Sequence, residues 1–137
     1  MIIKTFHDKE KAKSILKMAK ESEEYLKELF SERTIKKYQS IAAREYYDII
    51  RSLATALLLC RGFKAVGENA HKETIDFLSN FNDLSVAEID KMQDLRIRIN
   101  QNSYEGKPIE SPYLENNKDK LDKIVSKLKS VLIKEIG

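Results

Sequence analysis

The sequence predicts an all-α protein, an up-and-down bundle of four main helices with one additional short helix, and three observations predict it. Four glycines and two prolines among 137 residues leave few turns, which favours a few long elements over many short ones. Apolar residues recur at three- and four-residue spacing over most of the chain, the period of a helix with one buried face. No run of alternating residues supports a sheet. At this length the chain, residues 1–137, makes one domain with a single core.

The first helix is expected over residues 8–30, with Asp8 as its cap. Ile15, Met18 and Ala19 begin an apolar stripe, Ser22 interrupts it, and Tyr25, Leu26, Leu29 and Phe30 resume it. The opposite face is Lys and Glu, including the pair Glu23–Lys27 at i,i+4. The second helix, 32–60, carries Ala42, Tyr46, Ile49, Leu53, Ala56, Leu57 and Cys60 on one stripe, widened by Tyr47, Ile50, Ala54 and Leu58. A helix apolar over most of its circumference touches neighbours on more than one side. Its remaining polar stripe is Arg44, Asp48, Arg51 and Thr55. Gly62 suits the left-handed conformation that often follows a helix end. After the loop "RGFKAVGEN", a third helix spans about 69–80, with Ile75, Phe77 and Leu78 apolar. "SVAE", Ser85–Glu88, is a capping box opening a fourth helix over 86–101. "YEGKPIESPY" is a loop, and Asn116 or Asn117 caps a last helix to about 135. Its stripe is Leu121, Ile124, Val125, Leu128, Val131 and Leu132.

Several function classes are set aside by composition. A net charge of +3 is too weak to imply nucleic-acid binding by itself. The one cysteine, Cys60, excludes an internal disulfide and a thiolate metal cluster, and its apolar surroundings "LATALLLC" mark it as a small core residue. The N-terminal segment "MIIKTFHDKEKAK" lacks the apolar centre of a signal peptide, and the longest apolar run, Leu53 to Cys60, is far shorter than the ~20 residues of a membrane span. A soluble cytoplasmic protein is expected, with no membrane association. Gly62 and Gly67 have phosphate-loop spacing, but Glu68 stands where that loop requires lysine, and a helix precedes it instead of a strand. His7 and His71 have no companions at ligand spacing, so no metal site and no cofactor is expected.

The segment "DLRIRINQNSYEGKPIE", Asp94–Glu110, is the unusual one. Ile89, Met92, Leu95 and Ile99 share one side of the fourth helix, with Val86 at its margin. Arg96, Asn100 and Ser103 lie toward one edge of that side. Arg98 falls away from them, at i+4 from Asp94, where it can pair with that carboxylate. Arg96 is therefore expected to be half buried, and a buried guanidinium needs partners. Asp48 and Glu45 on the second helix, or a phosphate, are the candidates. Ile97 projects outward beside the arginines, as at a helix-to-helix subunit contact. The plainer account of Asn-Gln-Asn-Ser is a helix running out into a turn.

The order "YYDIIRSLATALLLCRGFKAVGENAHKETIDFL" followed by "LRIRINQNSYEG" resembles the HEPN superfamily of small helical domains, over most of the chain from about residue 40 onward. Sharing a fold does not by itself establish a shared function. Many HEPN domains are metal-independent ribonucleases with an arginine, often followed by a polar residue, and a histidine a few positions later. They commonly dimerise, so that two motifs line one cleft. In such a site the histidine moves the 2′-hydroxyl proton and the arginine neutralises the phosphorane. Here Arg96 and Arg98 match the arginine slot, and the histidine slot falls at Ser103 or Tyr104. Serine does not titrate near neutrality, and tyrosine's reference pKa of about 10 makes it a poor base there.

The resemblance thus implies a non-catalytic HEPN-like homodimer, joined through the second and fourth helices. RNA, a nucleotide or a partner such as a small nucleotidyltransferase would bind at Arg96, Arg98, Asn100, Ser103 and Tyr104, with Asp48 and Arg51 alongside. The rival readings are a toxin-like, metal-independent ribonuclease using Arg96 or Arg98 with Tyr104, and a purely structural homodimer whose arginines bridge to acids.

Overall fold

The computed structural model describes residues 1–29 and 37–137. Among them are five helices: α1 (Lys9–Leu29), α2 (Gln39–Cys60), α3 (Ala70–Phe77), α4 (Val86–Glu105) and α5 (Tyr113–Ile136). A single 3₁₀ turn, Leu78–Asn80, follows α3. Two short strands, β1 (Ile2–Lys4) and β2 (Phe63–Ala65), pair antiparallel with Ile3 opposite Lys64. The molecule is predominantly helical, as expected. The expected end of the first helix at Phe30 and the start of the second at residue 32 lie outside the described residues.

The helix α2 is the hub and packs against α1, α3, α4 and α5. The sequence dictates this role. Ile49, Ile50, Leu53, Leu57 and Leu58 point in several directions and are all buried, and small residues between them (Ala42, Ala43, Ala54, Ala56) let neighbouring helices approach closely. Against α2, α5 lays Leu121, Ile124, Val125, Leu128 and Leu132, and α4 lays Met92, Leu95 and Ile99, in one continuous core.

Three features differ from the sequence reading. The first is the small sheet. Three residues per strand are too few for alternation to register as a pattern, and the pairing joins segments sixty positions apart. Gly62 sits at its corner with φ +83°, and a Cβ there would meet the Thr5 carbonyl and the His7 ring at 3.0 Å. The second is α1, where Ala12, Leu16, Ala19 and Leu26 form the buried stripe. Met18 and Tyr25 lie more than 100° around the helix from it and are 67% and 55% exposed. The third is α5, which starts at Tyr113, ahead of the expected caps Asn116 and Asn117. Its first turn is capped from another helix: the buried Gln39 side chain accepts from the Leu114 N–H at 3.2 Å and donates to the Glu115 carboxylate at 2.9 Å. Asn117 instead donates to the Tyr113 carbonyl at 2.7 Å.

The end of α2 is clasped by Arg61. Its guanidinium donates to Asp83 and to Glu135, and it lies 4.5 Å from the centre of the Phe81 ring. One side chain therefore ties α2 to the loop before α4 and to the end of α5. The hydrogen bonds to both carboxylates hold its pKa above the ordinary arginine value.

Candidate functional site

The polar stripe of α2 and one edge of α4 form a common surface beside α3. On α2, Tyr47 is 5% exposed, next to Asp48, whose carboxylate stands 3.9 Å from the Arg51 guanidinium. On α4, Arg96 is half-buried, as expected. Its hydrogen-bond partner is not Asp48 or Glu45 but Gln93, whose Oε1 accepts from Arg96 Nε at 2.6 Å. The Gln93 amide donates in turn to the Lys72 carbonyl at 3.0 Å and to Asp76 at 2.7 Å, both on α3. Gln93 thus fixes the Arg96 side chain and docks α3 on α4 with the same group.

That docking brings His71 into the site. Its imidazole lies in the field of Arg51, Asp48 and Arg96. Partial burial first, then Arg51 and Arg96, hold it below the usual histidine range, while Asp48 acts the other way. Burial pushes the Tyr47 hydroxyl up, and Arg51 and Arg96 oppose that shift. Burial and the neighbouring Asp48 also raise Glu45. Two donors here have no acceptor among the described residues: the Tyr47 hydroxyl and the Arg51 Nε–H are both buried and unpartnered. A buried donor left without a partner costs about 1–3 kcal/mol, so an acceptor-rich anion placed here gains what the free protein lacks.

The predicted residues divide between two edges of α4. Arg98 turns away from Arg96, pairs with Asp94 at 3.1 Å as expected, and lies 4.7 Å over the Tyr113 ring. It belongs to the contact between α4 and α5. Asn100 and Ser103 are exposed on the Arg96 side, and Tyr104 is 86% exposed in the last turn. Ile97 is 46% exposed, outward as expected. The helix end is more ordered than a fraying turn. Asn102 accepts from Arg44 and donates to Ser40 Oγ at 3.3 Å and to the Lys107 carbonyl at 2.8 Å, and Gly106 closes the helix with φ +68°.

Sequence reasoning missed Tyr47, Gln93 and His71. Tyr47 read as core, which it is, and only the third dimension shows its hydroxyl beside two guanidinium groups. The imidazole absent from the arginine helix arrives from a different helix. Among the described residues no group of three His, Cys, Asp or Glu side chains stands ready to hold a metal ion, and no helix is long and apolar enough to cross a membrane.

A cavity of about 290 Å³ lies between α1, α2 and α5, lined by Glu23, Lys27, Tyr46, Lys118, Asp122 and Lys129. Its charges satisfy one another. Glu23 pairs with Lys27 and Lys129, and Asp122 takes the Tyr46 hydroxyl and Lys118. It lacks the unmet donors of the arginine cluster. Comparison of the chain with protein-family models, with curated proteins and with solved structures finds no match in any of the three.

Proposed function

We propose that the chain is a HEPN-like domain, an up-and-down helical bundle, that binds a phosphate-bearing ligand at the Arg51–Arg96 cluster without turning it over. The ligand is RNA or a nucleotide. The domain works in the cytoplasm as a homodimer joined through α2 and α4, and the resemblance adds a nucleotidyltransferase as a candidate partner. One observation carries the binding reading: two guanidinium groups from different helices border the buried Tyr47 hydroxyl, and among the described residues neither that hydroxyl nor the Arg51 Nε–H has an acceptor. A phosphate offers several acceptor oxygens and one or two negative charges, and charge-assisted bonds to arginine are the strong ones. The outward Ile41 and Ile97 on α2 and α4 support the helix-to-helix pairing.

Binding of a short labelled RNA, followed by fluorescence anisotropy across a salt series, tests this. Arg51→Ala and Arg96→Ala should each weaken binding, and each lost phosphate contact should reduce the slope of log affinity against log salt by about 0.7. Tyr47→Phe should weaken binding while leaving stability unchanged or up to ~1 kcal/mol higher, because it removes an unmet donor. Unchanged affinity in all three variants, with stability lost in Arg96→Ala, would instead assign the arginines to holding the fold or the dimer.

His71 supports a second reading, a metal-independent ribonuclease. A neutral imidazole beside two arginines can take the 2′-hydroxyl proton. The 2′-oxygen then attacks phosphorus, the arginines neutralise the phosphorane, and the 5′-oxygen leaves with a proton returned by the imidazolium. In that case His71, not Tyr104, is the base. Single-stranded RNA should be cut in the presence of chelator, and both His71→Ala and Arg96→Ala should abolish cleavage. Binding without cleavage leaves the first reading standing.

A further inference from the structure

The helix α1 carries a second apolar stripe that the described residues leave largely open. Ile15, Met18, Ser22 and Tyr25 stand at i, i+3, i+7 and i+10, the seam spacing of a helix that pairs with another helix. The stripe beside it, Ala12, Leu16, Ala19 and Leu26, fills the core, while Met18 and Tyr25 are 67% and 55% exposed. The charges of the same helix are sorted by half. Lys13, Lys17 and Lys20 stand exposed on its N-terminal half, and Glu21, Glu24 and Glu28 on its C-terminal half. Among the described residues, the ion pairs of α1 all run through Glu23, so these six take no part in one. The lone helix gains little from this order. Its own dipole favours acids toward the N-terminal end and bases toward the C-terminal end, the reverse of what stands here. Lys17–Glu21 and Lys20–Glu24 are i,i+4 neighbours in the weaker of the two orientations, lysine first.

An antiparallel neighbour with the same order gains much more. Two copies laid head to tail about a two-fold axis beside Lys20 and Glu21 set Lys13, Lys17 and Lys20 of one opposite Glu28, Glu24 and Glu21 of the other, and symmetry repeats the three pairs. Met18 and Tyr25 then close on the Tyr25 and Met18 of the second copy. A parallel pair would set lysine on lysine and glutamate on glutamate. We infer that α1 is a self-recognition surface whose occupant is the α1 of a second copy of this chain, running antiparallel. The face is distinct from the α2–α4 surface proposed above, because α1 packs on α2 and α5 whereas α4 packs on α2 and α3. The inference does not rest on the phosphate-binding reading. Where both two-fold contacts form, dimers join into a tetramer or a longer array.

The test is sedimentation velocity of the full chain over a concentration series, at low and high salt. Wild type should show an association step that weakens as salt rises. Met18→Ser/Tyr25→Ser replaces two exposed side chains, so it should keep the wild-type urea midpoint and weaken that step about tenfold or more. Lys13→Glu/Lys17→Glu/Lys20→Glu and Glu21→Lys/Glu24→Lys/Glu28→Lys should each lose the step alone, and an equimolar mixture of the two should recover it with one of each per pair. On mild oxidation Met18→Cys should join Tyr25→Cys faster than it joins itself, since Cys60 is buried. Met18→Ser/Tyr25→Ser that associates in every step as wild type does, or a mixture whose two variants stay apart, overturns the inference. Faster joining of Met18→Cys to itself overturns the antiparallel order. Wild type with no association step at all assigns the stripe to a different chain and overturns the inference as well.

Discussion

His71 sits in the field of two guanidinium groups and one carboxylate, and its imidazole is held below the usual histidine range by burial and by Arg51. In the ligand-free protein it is therefore neutral at pH 7. The sign of its linkage follows. The unfolded chain, with an ordinary pKa near 6.5, binds the proton more readily, so His71 contributes stability above that pH, and the contribution is lost as pH falls toward the depressed value. A bound phosphodiester reverses the local balance, because its negative charge favours imidazolium. Binding then takes up a proton. RNA affinity should strengthen as pH is lowered from about 8 to about 6, measured by anisotropy at constant ionic strength, and His71→Gln should flatten the profile. A wild-type profile as flat as the variant's removes His71 from the site. The half-burial of Arg96, the Arg98–Asp94 pair and the outward Ile97 were all legible in the sequence, because each depends on angle around one helix. The neighbours of Arg96 were not. Nothing local to residues 47, 71 or 93 announces that α2, α3 and α4 bring them together.

The helix α4 shows what local chemistry does settle. Ser85 Oγ accepts from the Glu88 N–H at 3.1 Å, and the Glu88 carboxylate accepts from the Ser85 N–H at 2.9 Å, the reciprocal box that "SVAE" predicts. The same Glu88 oxygen takes Lys127 of α5 at 2.8 Å, so the cap also joins two helices. Although burial works to raise Glu88, the bonds from Lys127 and Ser85 prevail and its pKa falls below the usual value. Ser85→Ala should cost about 1 kcal/mol, seen as a lower urea midpoint with an unchanged slope. An unshifted midpoint would mean the box contributes nothing to the folded state. Elements went astray where the signal was not local. Met18 and Tyr25 are apolar yet exposed, because period alone does not say which of two adjacent stripes a neighbour covers. The helix α5 starts earlier than its sequence indicates, because its cap is a glutamine 75 positions upstream, beyond the reach of any capping pattern.

The molecule as a whole is organised around α2, and Arg61 secures that helix at its end. The partners of Arg61 are 22 and 74 positions away, so the clasp closes the fold between distant segments. With the Arg61 side chain 17% exposed, the clasp is more sheltered than a surface pair but short of full burial. Arg61→Leu strands two carboxylates and should cost about 2–4 kcal/mol, read as a clear drop in Tm. RNA affinity at 20 °C or so should not change, because the clasp is remote from the arginine cluster. A variant that melts with the wild type would reduce the clasp to a surface contact.

Gln39 has a consequence of another kind. The apolar seam between α2 and α5 is nearly degenerate: moved by a turn, Leu121, Ile124, Val125, Leu128 and Leu132 would offer α2 much the same oily ridge. A buried primary amide is less forgiving, since it must find one N–H to accept and one carboxylate to receive its protons, and Leu114 and Glu115 meet that demand in a single alignment. Gln39 therefore works as a detent, choosing one notch from several along which the last helix could slide.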